Sequence, residues 1–327
     1  MKKFLCLALA ALMCVSMLAL VSCDNSTEDD GKYTVGVCQL VQHPALDAAT
    51  QGFIDTLKVE LGEENVEILN ENASNDPSTC TTIVTNFVSK KVDLIMANAT
   101  PALQAASQQS TIPVLGTSIT EYGVALGIDD FNGLVGSNVS GTSDLAPLDQ
   151  QAKMIVDLFP EAEKIALLYC SAEANSEYQV KEIRAQLIKN GLDDANIKNY
   201  SFTDSNDVST VAAAAAAFAD VIYIPTDNTA ASCAETINGV IGDTPVIAGE
   251  EGICKGCGVA TLSISYYDLG VATAKMAAKI LKGEANIEDM RIEYAADFAK
   301  KYNANKCNQL GIDTAALEAA GYVAIED

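Results

Sequence analysis

Histidine is nearly absent from this chain of 327 residues: His43 is the only one. A Ser-His-acid triad would have to use it, and a metal site built from several imidazoles is excluded. There is no GxSxG elbow, and no P-loop or dinucleotide fingerprint follows a strand, since the glycines of GICKGCG (Gly252 to Gly258) have the wrong spacing. The residues describe no enzyme and imply no cofactor or metal. Basic side chains are also scarce, 20 Lys and Arg against 44 Asp and Glu, for a formal charge of -24. That balance argues against binding nucleic acid or anionic lipid through the folded surface. Apolar residues are plentiful, at 49 per cent, and run along the whole length. Disorder is therefore excluded except near the start, and the chain is long enough for two α/β domains.

Residues 1–22 read as a signal peptide, with basic Lys2 and Lys3, an apolar run from Phe4 to Val21, and a small residue before a cysteine. Leu20-Val21-Ser22-Cys23 resembles a bacterial lipobox, which implies lipidation of Cys23 as the first mature residue. Residues 23–32 then form a polar tether. The protein is expected outside the cytoplasm, held to a bacterial cell membrane by lipid alone.

Beyond the tether the chain reads as two copies of one βα pattern about a hinge at Asn138 to Pro147. VDLIMANATPALQAA (from Val92) and ADVIYIPTDNTAASC (from Ala219) each carry an Asp, an apolar run, and a polar residue seven places on, Thr100 or Asp227. The strand, loop and helix from Tyr33 pair with those from Glu163, and IPVLGTS pairs with TPVIAGEE. Helical spacing of Ala45, Ala49, Phe53 and Leu57 predicts an amphipathic helix, and Asp76-Pro77-Ser78 predicts a helix start. Thr100 is expected to cap a helix at the carboxyl end of a strand, where open α/β sheets bind ligands. After Val259 the pattern changes and suggests further crossings between lobes. The expected fold is α/β: two doubly wound three-layer lobes joined by crossing strands, lobe one from 33–141 plus 264–290 and lobe two from 145–262 plus 291–327.

Together with the lipobox and the repeat, HPALDAATQGF, NDPSTC, GTSDLAP, SAEANSEYQVKE, PTDNTAAS and YYDLGVATAKMAAKILKG resemble the ABC-transporter substrate-binding lipoproteins of the tryptophan-binding TrpX type. The resemblance covers Tyr33 to Gly283. It implies a type I periplasmic-binding-protein fold, a monomer that closes on a small ligand, expected here to be an amino acid and an aromatic one since several relatives are associated with those, and delivers it to an ABC permease and its ATPase. A ligand-sensing receptor of the same fold docking on a signalling partner, or a receptor for a nucleoside or sugar, is the alternative.

An amino acid needs donors for its carboxylate and an acceptor for its ammonium. Thr100 with the amides of its helix suits the first role, with Thr142 and Ser143 adding hydroxyls. Asp227 suits the second, with Asp144 as a further acceptor. Asn175 and Asn228 offer both functions, and His43 and Gln39 stand on the rim of lobe one. Thr, Asp and Asn at such loops also cap helices without any ligand. Thr100 and Asp227 are favoured as a pair because they recur at one offset facing one cleft. Glu250-Glu251 departs from the family's glycine followed by a small polar or acidic residue, so Glu250 either reinforces ammonium binding or selects another solute. Seven cysteines remain after the leader and Cys23, and Cys254-Lys255-Gly256-Cys257, expected in a loop, reads as a local clip or plain thiols.

Overall fold

Short aliphatic runs become parallel strands buried on both faces. The computed structural model describes residues 31–109, 111–295 and 297–326; the signal segment and Cys23 lie outside them. In chain order, β1 (Tyr33–Gln39), α1 (Pro44–Leu61), β2 (Val66–Asn72), α2 (Pro77–Lys90), β3 (Leu94–Asn98), α3 (Thr100–Gln109), β4 (Val114–Ile119), α4 (Tyr122–Leu126) and β5 (Val139–Ser143) build the first sheet and its helices. The second is built from α5 (Leu148–Leu158), β6 (Ile165–Cys170), α6 (Ala174–Lys189), β7 (Ile197–Phe202), α7 (Val208–Phe218), β8 (Val221–Ile224), α8 (Asn228–Ser232), α9 (Ala234–Asn238), β9 (Val246–Ala248), α10 (Glu251–Cys257) and β10 (Ala260–Ser263). The chain ends with α11 (Tyr266–Leu281), β11 (Glu293–Tyr294), β12 (Ala299–Tyr302), α12 (Ala304–Leu310), α13 (Thr314–Ala319) and β13 (Val323–Ala324).

The sheet orders are β11-β5-β4-β3-β1-β2 and β13-β12-β10-β9-β8-β6-β7. Only the β10–β12 pair is antiparallel among the described strands. Each sheet lies between two helical layers. In the first, Val35, Val37, Leu94 and Met96 pack against Phe53 and Leu57 of α1 and Ala274 and Ala277 of α11. Cys38, Ile95 and Ala97 face Ile83, Val84 and Phe87 of α2 and Leu103 of α3. The second sheet is covered likewise, by α5, α6 and α12 on one face and α7 to α10 on the other. The chain passes between the sheets after β5, after β10 and after β11.

The repeat has a physical basis. Asp93 Oδ2 accepts from Thr34 N at 2.7 Å and Asp220 Oδ2 from Lys164 N at 2.9 Å, so each tethers the start of its own sheet's first strand. Asp76 caps α2 by accepting from Ser78 N at 2.9 Å.

Two local expectations are corrected. Residues 293–294, assigned by sequence to lobe two, pair with Thr142 and Ser143 in the first sheet, held there by the Ile292 N to Gly133 O bond at 2.8 Å. Cys254 and Cys257 lie within α10, not in a loop, and their thiols are free and buried.

Candidate functional site

The strand ends and helix starts of the two sheets face each other across a cleft lined by His43, Leu46, Ser118, Thr120, Asp144, Asn175, Thr226, Asp227, Asn228, Ala231, Glu250 and Tyr266. The space left between them is about 10 Å³, room for no more than a water molecule, so a larger ligand enters only when the two sides part. The two sides touch. His43 Nε2 lies 3.3 Å from Asn228 Oδ1, and Asn75 Nδ2 donates to Thr229 Oγ1 at 3.1 Å.

Buried polar atoms in proteins nearly always have partners, so several without one on the same cleft are candidates to pair with a ligand. Among the described residues six buried side-chain atoms have none, and four of them line this cleft: His43 Nδ1, Ser118 Oγ, Asp144 Oδ1 and Asn175 Oδ1. Ser118, next to last in β4, has φ at +55°, where β4 and β5 shift register between Gly116 and Ile119. A left-handed serine in a strand is strained, a cost commonly met at functional sites.

The candidate acids differ in how far they are already used. Asp227 caps α8: its Oδ1 accepts from Ala230 N at 2.8 Å and its Oδ2 from Cys170 N at 2.6 Å. Glu250 caps α10 in the same manner, accepting from Gly252 N at 2.7 Å and Ile253 N at 2.5 Å. Asp144 is different. Its Oδ2 accepts from the Tyr266 hydroxyl at 3.0 Å, and its Oδ1 is left over. Burial raises all three carboxyls, Asp144 to about 6, Glu250 to about 7, and Asp227 to about 8 with the neighbouring Glu173 adding to the rise. Among the lining residues no Lys or Arg offsets these acids. With the lowest of the three values, Asp144 is the acid that is mainly ionised near pH 7 and so suited to a cation. Burial also holds the His43 imidazole below its ordinary pKa, so it is neutral near pH 7.

Four residues chosen from sequence stand outside the lining. Gln39 donates to Val41 O and Asp47 and accepts from Thr50, all within lobe one. Thr142 is held between the hydroxyls of Thr117 and Thr273, and Ser143 donates to Thr120 O. Thr100 is buried as the first residue of α3, and the residue before it, Ala99, with φ at +89°, takes the cap position in its place. Sequence reasoning missed Ser118, Tyr266 and Glu173. Ser118 was within reach, because aligning IPVLGTS with TPVIAGEE puts it opposite Glu250. Tyr266 and Glu173 carry no such signal; their partners lie 122 and 55 to 56 residues away.

Four resemblances bear on this arrangement. Residues 34–319 match the family model described as ABC transporter substrate binding protein. The chain is 34% identical over 298 residues to a tyrosine-binding protein of Clostridioides difficile, covering 87% of this chain and 85% of that protein. It superposes with a TM-score of 0.83, at 31% identity over 90% of this chain and all of the other, on an ABC domain from Streptococcus pneumoniae in complex with L-Trp. On the ligand-free, open structure of a Clostridium difficile substrate-binding protein with adhesive properties the score is 0.67, at 34% identity and the same coverage.

Proposed function

The chain belongs to the family of ABC transporter substrate-binding proteins, and from that premise we propose that its cleft binds an aromatic amino acid. The family is one of transport proteins, not enzymes. The observation that carries the reading is the convergence of unpartnered buried atoms on one cleft, with a free carboxylate oxygen among them. In this reading Asp144 Oδ1 receives the α-ammonium, taking the role that sequence gave first to Asp227, whose oxygens already hold two backbone amides. Ser118 Oγ donates to the carboxylate. Leu46, His43 and Tyr266 supply the apolar and ring surfaces for the side chain. Relatives that bind tyrosine or tryptophan support this ligand class.

Delivery to a membrane permease and its ATPase, the monomeric state, and attachment through a lipidated Cys23 belong to the same proposal. Among the described residues no helix is long and apolar enough to cross a membrane. Cys23→Ser should move the full-length protein from the detergent phase to the aqueous phase on partitioning.

The direct test is titration with tryptophan, tyrosine and phenylalanine by calorimetry and thermal shift, with nucleosides and sugars as controls. This chain has no tryptophan, so the fluorescence of bound tryptophan is read without a contribution from tryptophan residues of the protein. A ligand that binds only the folded state must raise the melting temperature. A rise with a sugar or nucleoside and none with any aromatic amino acid would overturn the reading.

A further inference from the structure

Glu173, the residue before α6, binds the first turn of α8 with both carboxylate oxygens. It accepts from Asn228 N at 3.1 Å, Asn228 Nδ2 at 2.7 Å, Thr229 N at 2.9 Å and Thr229 Oγ1 at 2.8 Å. The residue is buried. An acceptor carboxylate 2.7 Å from the Asn228 amide admits only the NH2 group there, so the network fixes which way that amide points. Asn228 Oδ1 consequently faces His43 Nε2, 3.3 Å away. A carbonyl oxygen can only accept, which places the imidazole proton on Nε2. Because burial keeps the ring neutral, it has one N–H to place. Nδ1 is left with a bare lone pair, buried and without a protein partner, on a residue that lines the cleft.

We propose that Glu173, acting through Asn228, holds His43 as a hydrogen-bond acceptor, and that this acceptor selects aromatic amino acids bearing a ring N–H or O–H over phenylalanine. The proposal rests on the amino-acid reading above and adds the determinant of choice among aromatic side chains. Asp144 Oδ1 already answers the ammonium, so Nδ1 is available for a different donor. Asn175, also on the lining, presents a second fixed acceptor, since its Nδ2 donates to Thr226 O at 3.1 Å and leaves Oδ1 free. An indole N–H or a phenol O–H satisfies such an atom; a phenyl ring leaves it desolvated and unpaired. Sites built to pair a ligand's polar hydrogen discriminate strongly against analogues that lack it. Glu173 and Asn228 are positioning residues, and His43 is the one that touches the ligand.

The chain's single histidine makes the test clean, because uniform ¹⁵N labelling yields one pair of imidazole resonances. In the wild-type protein at pH 7 the proposal requires a protonated Nε2 and an unprotonated Nδ1. The Nδ1 resonance should move upfield on saturation with tyrosine or tryptophan, and much less with phenylalanine. Phenylalanine should bind at least about tenfold more weakly than the better of the other two. Glu173→Gln gives the Asn228 amide a carbonyl partner and lets it turn, so the Nδ1–H tautomer should appear and the preference shrink. His43→Phe should bring the affinity ratio near one. Wild-type protein with the proton on Nδ1, or with equal affinity for all three amino acids, overturns the proposal while leaving the amino-acid reading in place. Binding of none of the three overturns that reading instead. Should Glu173→Gln fail to fold, the wild-type spectra and affinities decide alone.

Discussion

The Tyr266 hydroxyl donates to Asp144 Oδ2 at 3.0 Å, and this single bond leaves Asp144 Oδ1 as the one unengaged carboxylate oxygen among the acids lining the cleft. Asp144 follows β5 and Tyr266 opens α11, so two of the passages between the sheets meet at this bond. The relationship sets the order of importance among the acids. It also makes their roles separable by mutation.

Asp144→Asn keeps an oxygen for Tyr266 but removes the charge opposite the ligand's ammonium. Breaking a buried ion pair costs about 3–5 kcal/mol, or about two to three and a half decades of affinity. Stability of the free protein should hold. Calorimetry with tyrosine and tryptophan, beside a denaturant melt, checks both halves.

Asp227→Asn should show the opposite division. One of its two oxygens becomes an NH2 facing a backbone N–H, at Ala230 or Cys170. Leaving a buried donor unpaired costs about 1–3 kcal/mol. Denaturation should register that loss, and affinity should fall less than for Asp144→Asn. The reverse order of affinities would return the ammonium to Asp227.

Burial raises Asp144, Glu250 and Asp227 to about 6, 7 and 8. Each binds its proton more tightly folded than unfolded. The stability they contribute is therefore fully present below about pH 4 and lost as pH rises through 6 to 8. Ligand affinity should run the other way, because the ammonium requires ionised Asp144: it should rise by up to about tenfold per unit as pH approaches 6, then level off. Calorimetry at pH 5 in buffers of different ionisation enthalpy should detect proton release on binding. Affinity that stays flat between pH 5 and 7 would remove Asp144 from the site.

Asn75→Ala deletes the hydrogen bond to Thr229 that joins the two sides of the cleft outside the lining residues. If closure contributes to affinity, every ligand should weaken by a similar factor, about two- to tenfold, since one such bond is worth about 0.5–1.5 kcal/mol. Small-angle scattering should show a larger radius without ligand than with it. A loss confined to one ligand would mean direct contact.

Gly52 and Gly270 let α1 and α11 cross at close range. A Cβ at Gly270 would lie 2.0 Å from Ala49 O, and one at Gly52 would lie 2.1 Å from Tyr267 O. Both obstacles are backbone, so the helices must separate. Gly270→Ala should cost about 1–3 kcal/mol or more, read by denaturant melting, with the loss spread over the first sheet's core.

Much of the fold is legible in the sequence, because its determinants are local. The spacing of Ala45, Ala49, Phe53 and Leu57 fixes the buried face of α1 whatever packs on it, and all four are buried. Asp76 before Pro77 sets the start of α2 from neighbouring residues alone. The repeated Asp93 and Asp220 mark equivalent strands, and each tethers the first strand of its sheet.

What the tertiary structure decided is which polar side chains are still unpaired after folding. Asp227, Glu250 and Asp144 are alike as residues, but two of them hold backbone amides and one is left with a free oxygen. Thr100 reads as a cap, yet the strained backbone at Ala99 moves that position back by one residue. Glu173 reads as a loop acid, and its control over His43 passes through an asparagine 55 residues away. A hydrogen bond used within the fold is unavailable to a ligand, and that accounting is completed only when distant segments meet.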